Sequence, residues 1–257
     1  MRRASATVIA RRILLSAATL AMTASCQLAT AGTIDLNDTY NGGNPFMGAD
    51  VMFTDTVETN GNAGDPAFNY YRDPTVLGNT LVVNPTNFRV EVIPGPGLGA
   101  IDSQLETVIM TKNGAAIQAI KFDEAGDYEI LGNAFVKAEL DYFYEVLEVN
   151  GSPVGSPITG NGKMVFDDTS PANDSGNWEL GFYVPLDGAA KGATKVRFEF
   201  DNRVIAQADN DASLAFIAKK QISGVQVEPI VPEPATVGMF LLGLIGLVQA
   251  TRKGLTR

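Results

Sequence analysis

A period of two constrains this chain more than any other feature. Phe88-Arg89-Val90-Glu91-Val92 and Val196-Arg197-Phe198-Glu199-Phe200 alternate apolar and charged side chains. An extended strand at either place has one face in a core and one in water. Five Asn-Gly pairs, beginning at Asn41, Asn60, Asn113, Asn150 and Asn161, punctuate such runs. Both residue types accept the positive φ angles of a type I′ turn, so a pair set between apolar runs predicts a hairpin. Residues 106–112 and 115–122 are predicted to pair across Asn113-Gly114, and 138–149 across Asn150-Gly151 with the run that follows. A third hairpin is predicted at Asp201-Asn202, joining 196–200 to 203–208. Further strands are expected at 80–83, 163–167, 177–184, 214–219 and 222–227. No stretch between the termini carries a long helical period. The pattern predicts an all-β fold, an antiparallel β-sandwich or jelly-roll-like ectodomain, as one large sandwich or two smaller ones.

The side chains that most nucleophilic and metal chemistry needs are missing. The 257 residues include no His, and the single Cys is Cys26, inside the N-terminal apolar segment. That excludes Ser-His-Asp triads, Cys-His nucleophiles, His-ligated metals and zinc ribbons. Carboxylates, hydroxyls, Lys, Arg and Tyr remain. Residues 32–231 hold 28 Asp and Glu against 12 Lys and Arg, a net charge of −16. Such a body repels nucleic acid and attracts divalent cations.

The remaining basic residues gather at the ends. Arg2, Arg3, Arg11 and Arg12 precede an apolar stretch over 13–24, and Ala29-Thr30-Ala31 follows. A positive region, a short hydrophobic region and a small-x-small site make a secretory signal peptide, with Ala29 and Ala31 marking the site and cleavage expected after Ala31. At the other end, Pro232-Glu233-Pro234 introduces residues 235–250, which carry no charge; Arg252, Lys253 and Arg257 follow. As a helix the uncharged segment reaches about 24 Å, slightly short of the hydrocarbon core. It offers no polar face to water, which argues against a buried core helix. Gly238, Gly243 and Gly246 would let it pack closely in lipid. Arg252 and Lys253 would anchor its end on the cytoplasmic side.

In this order, behind a signal peptide, Pro232-Glu233-Pro234, the glycine-punctuated apolar helix and Arg252-Lys253 resemble the PEP-CTERM sorting signal of Gram-negative bacteria. The resemblance covers 232–257 and the general layout. It implies that a membrane-embedded exosortase recognises the tail, cuts near the motif and transfers the protein to the envelope or the exterior. It also implies a tie to exopolysaccharide production and biofilm matrix. The Cys and His of that processing belong to the exosortase. The implied layout is a signal peptide over 1–31, a β-sandwich ectodomain over 32–228 and a sorting signal over 229–257, with 227–231 a spacer.

Within the sandwich no catalytic, cofactor-binding or metal residue is assigned. Gly95-Pro96-Gly97-Leu98-Gly99 lacks the spacing and the following helix of a dinucleotide loop and reads as a mobile loop. Asp209-Asn210-Asp211, and Asp167-Asp168 with Asn173-Asp174, supply oxygens of the kind a structural calcium takes, though the same residues are ordinary turn formers. Carboxylate pairs hydrolyse sugars when held about 5–10 Å apart, a spacing that so acidic a body meets by chance. Tyr70, Tyr71, Tyr142, Phe143, Tyr144, Trp178, Phe182 and Tyr183 could stack on sugar rings, with core packing the first expectation. Tyr142 and Tyr144 share one face of their strand and Phe143 takes the other. Asn37-Asp38-Thr39 and Asn173-Asp174-Ser175 match the glycosylation sequon, with no consequence expected. The expected function is a non-enzymatic, exported surface or matrix protein with a structural or adhesive role, transiently anchored in the inner membrane. Its partners would be the secretion machinery, the exosortase and extracellular polysaccharide. The alternative is a carbohydrate- or calcium-binding surface module; a carboxylate-dependent glycoside hydrolase ranks last.

Overall fold

The computed structural model describes residues 32–60, 69–169, 173–219 and 224–232. The signal peptide with Ala29 and Ala31 lies outside the described residues, as do Glu233, Pro234, the apolar segment 235–250, Arg252 and Lys253. Among the described residues no helix is long and apolar enough to cross a membrane.

In chain order the elements are β1 (Gly32–Asp35), α1 (Leu36–Asn41), β2 (Phe46–Met47), β3 (Val51–Asn60), β4 (Tyr71–Leu77), β5 (Thr80–Pro85), β6 (Arg89–Val92) and β7 (Gly97–Thr111). They continue with β8 (Ala119–Leu131), β9 (Ala134–Val149), β10 (Ser152–Asp168), β11 (Asp174–Pro185), β12 (Ala193–Ala208), β13 (Leu214–Lys219) and β14 (Val225–Ile230). Sheet A is ordered β1-β3-β7-β12-β9-β10, with β2 on the end of β3. Sheet B is built around β8. On one side β11 pairs with β8 from end to end. On the other, β13 pairs with residues 126–131 of β8 and β14 with 119–123, so the two short strands lie end to end. Beyond them β6 pairs with β13 and β5 with β14, and β4 closes that edge. Both columns are therefore interrupted at one level.

Alternation decides what faces what. In β12, Val196, Phe198, Phe200, Asn202, Val204 and Ala206 are fully buried, while the residues between them turn outward. Among the described residues a single cluster of buried apolar side chains joins the two sheets. Rings meet across it: Phe122 of sheet B lies 4.8 Å from Phe200 of sheet A, Phe182 4.2 Å from Tyr142, and Trp178 6.2 Å from Phe166. Each of the fully buried rings, Phe122, Phe200 and Trp178, contributes on the order of 2 kcal/mol of transfer free energy. The result is the antiparallel two-layered sandwich that the period of two predicted, on one shared core.

The predicted connections fare less well. Asn150-Gly151 makes its hairpin, with φ of 50° and 74° and Ser152 opposite Val149. Asn113-Gly114 does not: β7 pairs within sheet A and β8 within sheet B, so this turn carries the chain from one layer to the other. Asp201-Asn202 makes no turn, because β12 runs straight through it with Asn202 buried in the core. Asn161-Gly162 lies inside β10, and Gly42 ends α1 in the left-handed region. The Gly95–Gly99 segment is a loop only in part. β7 begins at Gly97, and a Cβ at Gly99 would stand 2.4 Å from Val90 Cγ1, so the missing side chain lets β6 and β7 approach. The expected spacer is also corrected. β14 runs to Ile230, with Pro229 opposite Ile120, and the sandwich ends two residues past the boundary at 228. β5 stops opposite Val227, so Pro229 breaks no ladder on that side.

Candidate functional site

The chain leaves the sandwich through an interior strand. Val225 and Val227 of β14 are buried, Val231 packs against the core, and Pro232 stands exposed. The first residue of the Pro-Glu-Pro triplet is thus delivered to the surface directly from a β-ladder.

The two loop clusters weighed for calcium come together at one end. Asn173 Oδ1 accepts from the Gly132 N–H at 3.1 Å, and Asn133, the next residue of the β8–β9 turn, donates to Asp209 Oδ2 at 2.7 Å. Asn210 Oδ1 accepts from the Ala212 N–H and from Ser213 Oγ. Asp168 and Asp174 flank the Tyr128 hydroxyl, whose pKa their bonds push up to about 12. These oxygens are occupied in holding turns, and among the described residues no three acidic side chains gather as a metal site. Asn37, of the first sequon, is buried and bridges Asn44 O, Phe53 O and the Thr56 N–H.

Among the described residues two carboxylates lie in the interior. Glu58 of β3 accepts from the Tyr70 and Tyr71 N–H groups at 2.9 and 3.1 Å and from Ser103 Oγ at 2.9 Å. Burial nonetheless holds its pKa above the usual carboxylate range. Glu124, in the middle of β8, meets the Lys219 ammonium at the end of β13; the two side chains are 0% and 1% exposed. Lys219 Nζ stands over the Phe88 and Trp178 rings, 5.0 and 5.4 Å from their centroids. Asn202, from β12 in the other sheet, donates to Tyr71 Oη at 2.9 Å and lies near enough to Glu124 to favour its charged form. Desolvation outweighs these partners. It raises the Glu124 pKa and lowers that of Lys219, both displacements favouring a proton on the carboxyl rather than the amine. Among the described residues, Glu124 Oε1, Asn202 Oδ1 and Trp178 Nε1 are buried without a hydrogen-bond partner. The cluster lies where sheet B is interrupted, the Lys219 N–H donating to Phe88 O at 3.0 Å beside the break.

The outer faces differ. On sheet A, Asp201 stands opposite Asp141 and Glu199 opposite Glu106. Burial first, then these and neighbouring acids, raises the pKa of Asp201 and Glu199. On sheet B, the small residues Gly181, Ala125 and Gly224 leave a hollow of about 330 Å³ bordered by Asp123, Glu179 and Gln226. Lys121, paired with Asp123 at 2.5 Å, and Tyr183, 60% exposed, are opposite each other in the next row.

Of the aromatics singled out in the sequence, Tyr70, Tyr71 and Trp178 are buried, while Tyr142, Tyr144 and Phe182 pack at the core margin. Tyr183 alone of the eight is a large exposed side chain. Sequence reasoning passed over Glu124 and Lys219. Their signal was parity: each is a charged residue at an inward position, after Phe122 in β8 and after Ala215 and Ile217 in β13.

The PEP-CTERM protein-sorting motif matches residues 231–253, starting at the residue after β14, and the chain carries that sorting signal. No curated protein matches the chain. Likenesses to solved structures are faint. TmCBM61 in complex with β-1,4-galactotriose is 10% identical, with 59% of this chain and 83% of that one covered and a TM-score of 0.24. A family 11 carbohydrate-binding module from Clostridium thermocellum, in complex with a β-1,3-1,4-mixed-linked tetrasaccharide, is 13% identical over 58% and 92%, with a TM-score of 0.18. Infectious bursal disease virus Gx strain is 11% identical over 76% and 54%, with a TM-score of 0.21. At these scores none bears on what the chain binds.

Proposed function

We propose that this protein is exported, processed by an exosortase and released to the cell surface or extracellular matrix, where the sandwich has a structural or adhesive, non-enzymatic role linked to exopolysaccharide or biofilm. One observation carries the proposal: the sorting motif begins at the residue after the last strand, so cutting near Pro232 would leave every β-ladder whole. In this reading residues 1–31 are removed on export, the jelly-roll-like ectodomain runs to Ile230, and the apolar segment after Pro234 is a helix crossing the inner membrane until processing. The test is cell fractionation and mass spectrometry of the mature protein, with and without the host's exosortase. A shortened C-terminus and a changed location only in the strain that has the exosortase are expected. An intact tail and the same location in both strains would overturn the proposal.

A second reading, a carbohydrate-binding surface module, is favoured by the hollow on sheet B, where carboxylates and an amide border small residues and exposed Tyr183 stands in the next row. Sugar hydroxyls pair with such polar groups and sugar rings lie on such an aromatic face. Calorimetry with the host's own polysaccharide should give a heat that Tyr183→Ala abolishes. No heat from the unsubstituted protein removes this reading.

A further inference from the structure

The buried cluster of Glu124, Lys219 and Asn202 is costly as a structural device. A charged pair loses several kcal/mol of hydration per ion in the interior, and an apolar replacement of the same volume is often neutral or stabilising. Here the interior polar atoms are not even fully matched, since Glu124 Oε1 and Asn202 Oδ1 lack partners among the described residues. Glu58 shows how this same core satisfies a carboxylate when the role is structural, with three donors on its two oxygens. The composition of the second cluster is that of a reaction. It holds a primary amine, a carboxamide and a carboxyl group between them, ringed by Phe88, Trp178, Tyr71 and Phe200, with water excluded.

We propose that Lys219 and Asn202 become joined by an amide bond formed by the chain itself, with Glu124 moving the proton. Nζ of Lys219 attacks Cγ of Asn202. The new Nζ–Cγ bond forms, the Cγ–Nδ2 bond breaks, and ammonia leaves; nothing is oxidised or reduced and no co-reactant is needed. The attacking amine must be neutral, and burial, which lowers the Lys219 pKa and raises that of Glu124, favours passing the proton from the amine to the carboxyl. Glu124 gives that proton to the leaving nitrogen and takes one from the attacking nitrogen in its place, ending as it began, the general acid–base role. Tyr71 Oη, which accepts from Nδ2, orients the leaving group. The fold supplies proximity through Glu124, which meets Lys219 on one side and lies beside Asn202 on the other; Lys219 is fixed by its pairing to Gly126 of β8 and its N–H bond to Phe88 O, and Asn202 by the middle of β12. The product would bolt sheet A to sheet B beside the interrupted columns. This inference is independent of export, since a cytoplasmic or an exported chain carries the same three groups.

The experiment is peptide mapping of the full chain isolated from its host, together with its intact mass. The expected mass is one ammonia lighter than the processed sequence dictates. Trypsin should fail to cut after Lys219 and should yield residues 198–203 and 204–220 as one branched species rather than two linear ones. Glu124→Gln, checked for a retained fold by circular dichroism, should restore the full mass and both linear peptides. Linear peptides with cleavage after Lys219 in the unsubstituted protein would overturn the bond. A branched species persisting in Glu124→Gln would overturn the role of Glu124. The unsubstituted protein decides the bond by itself, even where the variant fails to fold.

Discussion

Glu58 and Gly126 show how single positions in this core are set by what faces them. Glu58 carries three accepted hydrogen bonds, and replacing it by Gln turns an amide NH₂ toward a backbone N–H. The expected loss is about 1–3 kcal/mol, the range for a buried donor left unsatisfied. Its pH dependence follows from burial. The folded-state pKa lies above that of the unfolded chain, so the folded protein holds the proton to higher pH. Stability then falls as pH rises from the ordinary Glu range through the raised value, and levels off above it. Urea titrations across that range should show the advantage of the unsubstituted protein over Glu58→Gln shrinking as pH rises; a constant advantage contradicts the assignment. Gly126 is constrained by space. A Cβ there would stand 2.0 Å from Ala218 O and 2.3 Å from the Trp178 indole. Gly126→Ala must displace backbone or the Trp178 ring, and a thermal melt should register about 1–3 kcal/mol or more of overpacking.

At the scale of elements, the β9–β10 hairpin pairs glycines with rings. Gly160 lies opposite Tyr144 and Gly162 opposite Tyr142, and each ring covers its glycine where a Cβ would come within 2.4 to 2.6 Å. The same device recurs between β8 and β11, with Gly126 opposite Trp178 and Gly176 opposite Tyr128. It lets long strands near the sandwich edge lay large side chains flat, at the cost of backbone entropy. The turn of this hairpin is a separate matter. Gly151 has φ of 74°, and nothing within 4 Å would hinder a Cβ, so Gly151→Ala tests conformation alone. A loss of about 1–2 kcal/mol is expected, the penalty of an L-residue in the left-handed region. Gly155, in β10 just after that turn, with open space and no positive φ, is the control, and Gly155→Ala should stay within about 0.5 kcal/mol by the same melt. Equal losses at both positions would mean that the hairpin is limited by something other than its turn.

For the whole molecule, the last strand is both a structural element and the way out. Ending the chain after Pro232 leaves β14 paired to β5 and β8, whereas ending it after Gly224 removes Val225 and Val227 from the core and parts β5 from β8. The first truncation should melt cooperatively and close to the parent sandwich; the second should be insoluble or molten, as read by circular dichroism and gel filtration. Two-layered burial, the inward parity of individual residues and the terminal sorting signal were legible in the sequence, because each is written in local order: a period of two, or a run of apolar residues beside charges. The partner of each strand was not. Asn113-Gly114 and Asn150-Gly151 carry the same local turn chemistry, yet one crosses between sheets and the other closes a hairpin, because apolar faces can be buried by either layer. The meeting of Glu124, Lys219 and Asn202 is of the same kind. Parity in their strands turns Glu124 and Lys219 inward, Asn202 was predicted in a turn, and it took the packing of sheet A on sheet B to bring an amine, a carboxyl and an amide to one place.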